Sequence, residues 1–324
     1  VTQPTHFAPY LLQQLRYLIE IERQNLIVSA AADALFTSQP GVSKQIRLLE
    51  DELGVTIFER SGKRLTHITA PGRIVLDIAN RILRETQNLT RVGQDFTGDN
   101  STLSIATTHT QARYTLPPVI QQFMQRHPSI RLHLQQGSPA QVSQWLLEGK
   151  ADMGIATEAL DQHSELLTLP CYQWSHLVVA PKGHPLVAQS VQGAPTLATL
   201  ASYPLITYDA TFTGRSHIDR SFERQDIAPN IILTAIDSDV IKTYVSLGLG
   251  VGIIAEMAFD PLRDESLVAI PAAHLFEANT TRLGFRRDVW LRGFEYDFIE
   301  LLAPQLTQRV VAAALKGGGL DSGL

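Results

Sequence analysis

The chain has one cysteine, Cys171, in 324 residues, so it forms no internal disulfide. A reducing compartment suits such a sequence, and Cys171 reads as a packed residue rather than a redox sensor. Long hydrophobic runs are missing too. Nothing approaches the roughly 18 apolar residues that cross a bilayer, and no membrane partner is expected. Residues 1–10 lack the basic-then-apolar order of a secretory signal. They are expected to be an N-terminal extension, and the protein to be cytoplasmic. The ten histidines show no metal-ligand spacing, so neither a metal nor a cofactor is expected. His109 adjoins the hydroxyls of Thr108 and Thr110, but no carboxylate stands nearby in sequence to complete a catalytic set, and the chain does not read as an enzyme. Gly248-x-Gly250-x-Gly252 imitates a nucleotide loop. It leads from a helical pattern into a strand pattern, the reverse of a phosphate-cradling loop, and reads as a turn.

Positive charge is scarce overall, the net charge being −5, but its distribution is uneven. Residues 1–98 hold 11 Lys and Arg against 10 Asp and Glu, and residues 99–324 hold 16 against 22. Between residues 60 and 76, Arg60, Lys63, Arg64 and Arg73 stand without an acid. Local cationic charge governs contact with phosphates, so an acidic remainder does not exclude DNA.

What is present in residues 10–97 is a helical pattern with a basic hairpin. Leu11, Leu12, Leu15, Leu18 and Ile19 repeat at helical spacing over residues 10–23. An alanine-rich helix follows over residues 28–36. Ser38 then offers an N-cap, Pro40 sits near the first helical position, and Gly54 closes a third helix. Val42, Ile46, Leu49 and Leu53 form the apolar stripe of that helix. Ser38, Gln39, Ser43, Lys44 and Arg47 remain on its outer, early part, where a recognition helix reads base edges. Glu50, Asp51 and Glu52 are expected to point away from phosphate. Residues 55–60 and 64–69 alternate as two strands around Ser61-Gly62-Lys63, a wing whose Arg60, Lys63 and Arg64 would meet the DNA backbone or minor groove. Pro71 and Gly72 open a long helix to about residue 94, with Val75, Ile78, Ile82, Leu89 and Val92 at heptad spacing. A dimer on paired half-sites is expected.

The order Ala30-Ala31-Ala32, Leu35, Ser38-Gln39-Pro40, Val42-Ser43, Ile46, Leu49-Glu50, Leu53-Gly54, Leu65-Thr66 and Pro71-Gly72 resembles the LysR-type transcriptional regulators. Phe58-Glu59-Arg60 is similar to that family's motif at the wing.

After a polar break at residues 98–102, strand and helix patterns alternate, which points to parallel α/β units in two lobes around a cleft. Strand ends carry hydroxyls and amides: Thr107-Thr108-His109-Thr110-Gln111, Gly137-Ser138-Pro139, Thr157-Glu158 and Thr211-Phe212-Thr213-Gly214. Hydroxyls with free N–H groups at helix starts make an anion site without lysine, so a small, polar, anionic ligand is expected. The fold class is α/β: an N-terminal winged helix-turn-helix with a long linker helix, then a two-lobed effector domain like that of periplasmic binding proteins.

Residues 105–114, Gln136-Gly137-Ser138-Pro139, residues 155–159, Leu169-Pro170-Cys171-Tyr172, Phe212-Thr213-Gly214-Arg215, residues 239–244 and Gly284-Phe285-Arg286-Arg287 resemble the CysB/Cbl branch of the same family. That resemblance implies a regulator of cysteine biosynthesis and sulfur assimilation genes, or of alternative sulfur-source use. It implies an effector such as sulfate, thiosulfate or an acetylserine. Thr108, Gln111, Thr157 and Thr213 would hold the anion, with Thr107, Thr110 and Ser138 nearby. The implied partners are a double-stranded DNA operator, RNA polymerase, and further copies of the chain in a homodimer or homotetramer. The expected domains are 1–10 (extension), 11–70 (winged head), 71–97 (linker helix), 98–172 with 278–312 (lobe I), 173–277 (lobe II) and 313–324 (tail). A solute-binding protein on the same fold is the rival class. It would need export, and the sequence opens on a DNA-binding pattern.

Overall fold

The computed structural model describes residues 10–62, 64–97 and 101–317, except the side chains of 94–97, 158 and 213. Lys63, all but the last residue of the expected N-terminal extension, and most of the expected tail lie outside the described residues. The chain divides into two compact units, Val1–Gly93 and Gln94–Leu324.

In the first unit, α1 (Leu11–Arg23), α2 (Val28–Ala34) and α3 (Gln39–Leu53) precede a hairpin of β1 (Phe58–Ser61) and β2 (Arg64–Ile68), then α4 (Ala70–Thr97). The helical stripes do what their spacing requires. Leu15, Leu18 and Ile19 of α1 and Val42, Ile46 and Leu49 of α3 are buried in one core, whereas Leu53 is exposed. Ser38 Oγ caps α3 by accepting the Gly41 N–H at 3.3 Å, and Gly54 ends it in the left-handed conformation. The wing's first strand starts later than residue 55, because the Glu50 carboxylate takes the N–H groups of Ile57 and Phe58 at 2.9 and 3.1 Å. Gly72 is required where α4 leaves the wing, since a Cβ there would lie 2.3 Å from the Ile57 carbonyl oxygen. Along α4, Leu76 and Ala79 are buried against the head, and Val75 and Ile82 lean on it. Ile78 and Leu89 of the heptad pattern are exposed, Leu89 at 72%.

The second unit holds two five-stranded sheets. Lobe I contains β3 (Thr102–Thr107), a π turn (Gln111–Thr115) leading into α5 (Leu116–Arg126), β4 (Arg131–Gln136), α6 (Pro139–Leu147), β5 (Met153–Ala156) and β6 (Leu166–Trp174). Lobe II contains β7 (His176–Pro181), α7 (Pro185–Gln192), α8 (Leu197–Ala201), β8 (Leu205–Tyr208), α9 (Thr213–Glu223), β9 (Ile231–Ala235), α10 (Ser238–Ser246), β10 (Val251–Ala255) and β11 (Leu267–Pro271). The chain then returns to lobe I through β12 (Asn279–Arg286), α11 (Gly293–Leu302) and α12 (Gln308–Leu315).

The strand orders are β4-β3-β5-β12-β6 and β11-β7-β10-β8-β9. The expected parallel α/β units are present, and antiparallel strands join them so that both sheets are mixed. β3 pairs parallel with β4 and β5, and β8 with β9 and β10, while β12 runs antiparallel to β5 and β6, and β7 to β10 and β11. The reason is the double crossing between lobes, after Trp174 and again before Asn279, which sends the linking strands in opposite directions. The glycine triplet is the expected turn. It joins α10 to β10, and Gly250 packs so tightly on Pro204 that a Cβ would sit 2.4 Å from the Pro204 carbonyl oxygen.

Candidate DNA interface and effector cavity

The outer face of α3 is built by default: once Val42, Ile46 and Leu49 turn inward, Gln39, Lys44 and Arg47 are exposed and Ser43 is half-buried. Gln39 and Arg64 line one groove of about 660 Å³ with Ser29, Ser61, Thr66 and His67. Arg60 does not join them. Its guanidinium donates to Glu50 Oε2 at 2.8 Å, and the same carboxylate holds the start of the wing. Glu50 thus braces α3 against the wing, a contact no local pattern announces. Ser38 is occupied as a cap.

In the second unit, a cavity lies between the lobes at the carboxyl ends of β3, β5 and β8, where open α/β sheets take ligands. Thr108, Thr110, Gln111, Pro139, Thr157 and Trp174 line it from lobe I, and Tyr208, Phe212 and Gly214 from lobe II. It leaves about 30 Å³ for the centres of water-sized atoms. One water needs roughly 10–15 Å³ on that measure, so the space suits a ligand head of a few atoms. Among the described residues lining it there is no Lys, Arg, His, Asp or Glu.

Gln111 is 2% exposed and held from both ends: its Nε2 donates to Thr281 Oγ1 at 3.0 Å, and its Oε1 accepts from the Tyr172 hydroxyl. Trp174 Nε1 donates to the same Thr281 oxygen at 3.1 Å. Thr281 is thus the hub that sets the cavity floor. Tyr208 Oη accepts the Ala255 N–H at 2.8 Å and pairs with Ser238 Oγ at 2.7 Å, presenting its ring to the cavity. Burial raises its phenol above the ordinary range and outweighs these bonds, which act to lower it.

Four of the expected effector residues converge on this cavity: Thr108, Thr110, Gln111 and Thr157. Two do not line it. Thr107 is fully buried and donates to the Ile155 carbonyl at 2.8 Å, so it ties β3 to β5. Ser138 caps α6 by accepting the Gln141 N–H at 3.3 Å, and it faces a wider neighbouring pocket of about 460 Å³ with His109, Gln136 and Thr211. The side chain of Thr213 lies outside the described residues, although its backbone opens α9 beside Gly214. Trp174, Tyr208, Phe212 and Gly214 were not expected. Phe212 and Gly214 could have been found from the helix start they flank, but Trp174 and Tyr208 reach the cavity through tertiary packing alone.

Cys171 sits buried on β6, with its thiol pushed up to about 12, chiefly by burial. This is an inert, packed thiol.

A winged DNA-binding head and a two-lobed domain enclosing a small polar cavity define a ligand-responsive DNA-binding protein. The chain belongs to the LysR family of transcriptional regulators: residues 12–73 match the lysR-family bacterial regulatory helix-turn-helix model and residues 97–307 the LysR substrate binding domain model. It is 53% identical over 305 residues to the transcriptional regulator SsuR of Burkholderia cenocepacia, covering 94% of this chain and 98% of that one. It is 50% identical over 307 residues to CysB of the same organism, covering 94% and 97%. The solved cofactor-binding domain of the Cbl transcriptional regulator superposes with a TM-score of 0.63 at 43% identity, covering 67% of this chain and 93% of that one. No described helix is long and apolar enough to cross a membrane.

Proposed function

We propose that this regulator controls genes of sulfur assimilation and cysteine biosynthesis in response to a small oxyanion held between its lobes. The observation that carries the reading is the polar cavity lined by Thr108, Thr110, Gln111 and Thr157, with no charged side chain among the described residues lining it, in a chain 50% identical to CysB. Gln39, Ser43, Lys44, Arg47 and Arg64 read the operator, and α4 pairs two copies through its exposed apolar positions. Ligand binding biases closure of the lobes and so the spacing of the DNA-binding heads, a population shift between assemblies. A tetramer contacting RNA polymerase in the cytoplasm completes the proposal.

A second reading, control of sulfonate-use genes, is favoured by the 53% identity to SsuR. One experiment addresses both. Calorimetry of the full chain with sulfate, thiosulfate, O-acetylserine and N-acetylserine is paired with retardation of promoter DNA from cysteine-biosynthesis and sulfonate-use operons. Binding of at least one ligand and ligand-sensitive retardation of the first promoter support the main reading. Response of only the second promoter selects the alternative, and no binding of any ligand refutes the effector assignment.

A further inference from the structure

Resting on the reading that the lobes close on an effector, we infer that His176 and Asn279 form a polar spring in the hinge, which closure strands and effector binding offsets. The chain crosses between the lobes twice, and one of these residues follows each crossing. His176 opens β7 and Asn279 opens β12. Their side chains are 1% and 0% exposed. Both imidazole nitrogens and both amide atoms are closed to water and make no hydrogen bond among the described residues. Buried polar groups are paired as a rule, so four unpaired atoms at the hinge call for a physical reason.

Their burial is a product of lobe apposition. His176 and Gly214 belong to lobe II, and Trp174 and Asn279 to lobe I. A Cβ on Gly214 would lie 3.2 Å from His176 Nε2, 3.3 Å from the Trp174 ring and 3.7 Å from Asn279 Oδ1. The start of α9 therefore plugs the hinge from the cavity side, where Trp174 and Gly214 are also part of the cavity wall. Trp174 and Phe276 cover the imidazole with ring edges. The lobes are closed in this arrangement, for Tyr114 reaches Asp239 across the cleft and the cavity holds only a few atoms.

A neutral imidazole and an amide both carry a donor and an acceptor. Dry and unpaired, each atom has lost its hydration with nothing in exchange. Rotation about the two crossings lifts Gly214 from Trp174 and Asn279 and lets water reach the pair. The open arrangement is relieved of that cost, and the closed one carries it. The ligand-free chain is thereby biased toward open lobes, and apparent affinity falls with the fraction of molecules that are closed. The Tyr114–Asp239 contact acts in the opposite sense. Hinge and contact together set how much ligand is needed for closure.

The test uses His176→Phe and Asn279→Leu separately in the full chain, because apolar groups of similar shape remove the stranded atoms while filling their space. Calorimetry with sulfate, thiosulfate, O-acetylserine and N-acetylserine is paired with amide hydrogen exchange of the ligand-free proteins. A ligand that binds the parent chain is expected to bind each variant at least about threefold more tightly. Exchange in residues 107–115 and 208–216 is expected to be at least about threefold slower than in the parent, with the sheet cores unchanged. Either variant suffices if the other fails to fold. Unchanged or weaker binding, with the parent still binding, overturns the spring and leaves the effector site standing. Unchanged exchange at the cleft overturns it too, even if both variants melt at a higher temperature, since that marks a packing defect alone. If none of the four ligands binds the parent, the oxyanion reading falls, and hydrogen exchange by itself decides the hinge.

Discussion

Tyr114 Oη donates to Asp239 Oδ1 at 2.5 Å, joining the turn that carries Gln111 in lobe I to the first turn of α10 in lobe II. Arg113 Nε reaches the same carboxylate at 3.2 Å, and Lys242, which is buried, lies 3.5 Å from it with its ammonium over the Tyr114 ring. Burial pushes the Asp239 carboxyl up, but the Tyr114 bond and the charges of Lys242 and Arg113 outweigh it and hold the carboxyl below its ordinary range. The Tyr114 phenol is displaced upward by burial first and then by Asp239. The contact is therefore a phenol-to-carboxylate latch across the cleft, three residues along the chain from a cavity-lining amide.

Tyr114→Phe removes the latch and keeps the ring. A hydrogen bond to a charged partner contributes ~1.5–3 kcal/mol, less where it is part exposed. Effector affinity is expected to fall about fivefold, for a loss of ~1 kcal/mol of closure. Calorimetry checks it, and unchanged affinity would separate the latch from ligand binding.

The head yields a contrast between two arginines. Arg60 is bound by Glu50, whereas Arg64 lines the open groove beside Gln39. Arg64→Ala is expected to lower the slope of log K against log salt by about 1. Arg60→Ala should leave that slope unchanged while lowering the thermal stability of the head. Equal slopes for both variants would show Arg60 to be a phosphate contact after all. Arg47→Ala should weaken specific binding by ~1–3 kcal/mol if the side chain pairs a guanine.

Adjacent threonines have different roles. Thr107→Val breaks the bond to the Ile155 carbonyl, and it is expected to destabilise the domain by ~1 kcal/mol with effector affinity retained. Thr108→Ala should weaken effector binding about tenfold or more with little change in unfolding midpoint, and Gln111→Ala should weaken it as much while also lowering the midpoint, because Thr281 and Tyr172 lose their partner. Affinity that survives both substitutions would rule the cavity out as the effector site.

His176 supplies a pH dependence. It starts β7 against Trp174 and Phe276, with ring centroids 5.2 and 5.5 Å away, and both its ring nitrogens are buried without a partner. Burial, then the nearby charge of His217, lowers its pKa from 6.5 to about 3. Below pH 6.5 the unfolded chain takes up a proton that the folded chain refuses. Stability is therefore complete above that pH and is lost as pH falls toward 3, by up to ~1.4 kcal/mol per unit. Denaturant titrations between neutral pH and pH 5 should show this decline, and His176→Phe should remove its share. An identical slope in the variant would place the proton uptake elsewhere.

Much of this molecule is legible locally. The stripe of Val42, Ile46 and Leu49 and the cap at Ser38 define α3 and leave Gln39, Lys44 and Arg47 outside, because helical periodicity alone assigns the faces. The hydroxyls at 108, 110 and 157 declare themselves by standing where strands end. Thr107 looks the same in sequence, yet strand alternation turns it into the sheet. Ser138 carries two signals at once, and the capping one prevails. The bracing role of Glu50 is not legible locally because its partners Ile57, Phe58 and Arg60 meet it only when the wing folds back onto α3.

The sequence by itself determined the head, the long helix, the succession of strands and helices beyond it, and the polar character of the cleft. Each of these depends on neighbours within a few residues along the chain. Tertiary structure decided what depends on distant residues. The double crossing of the lobes made both sheets mixed. Thr281 pinned Gln111 and Trp174 from far along the chain. Tyr114 found Asp239 in the other lobe.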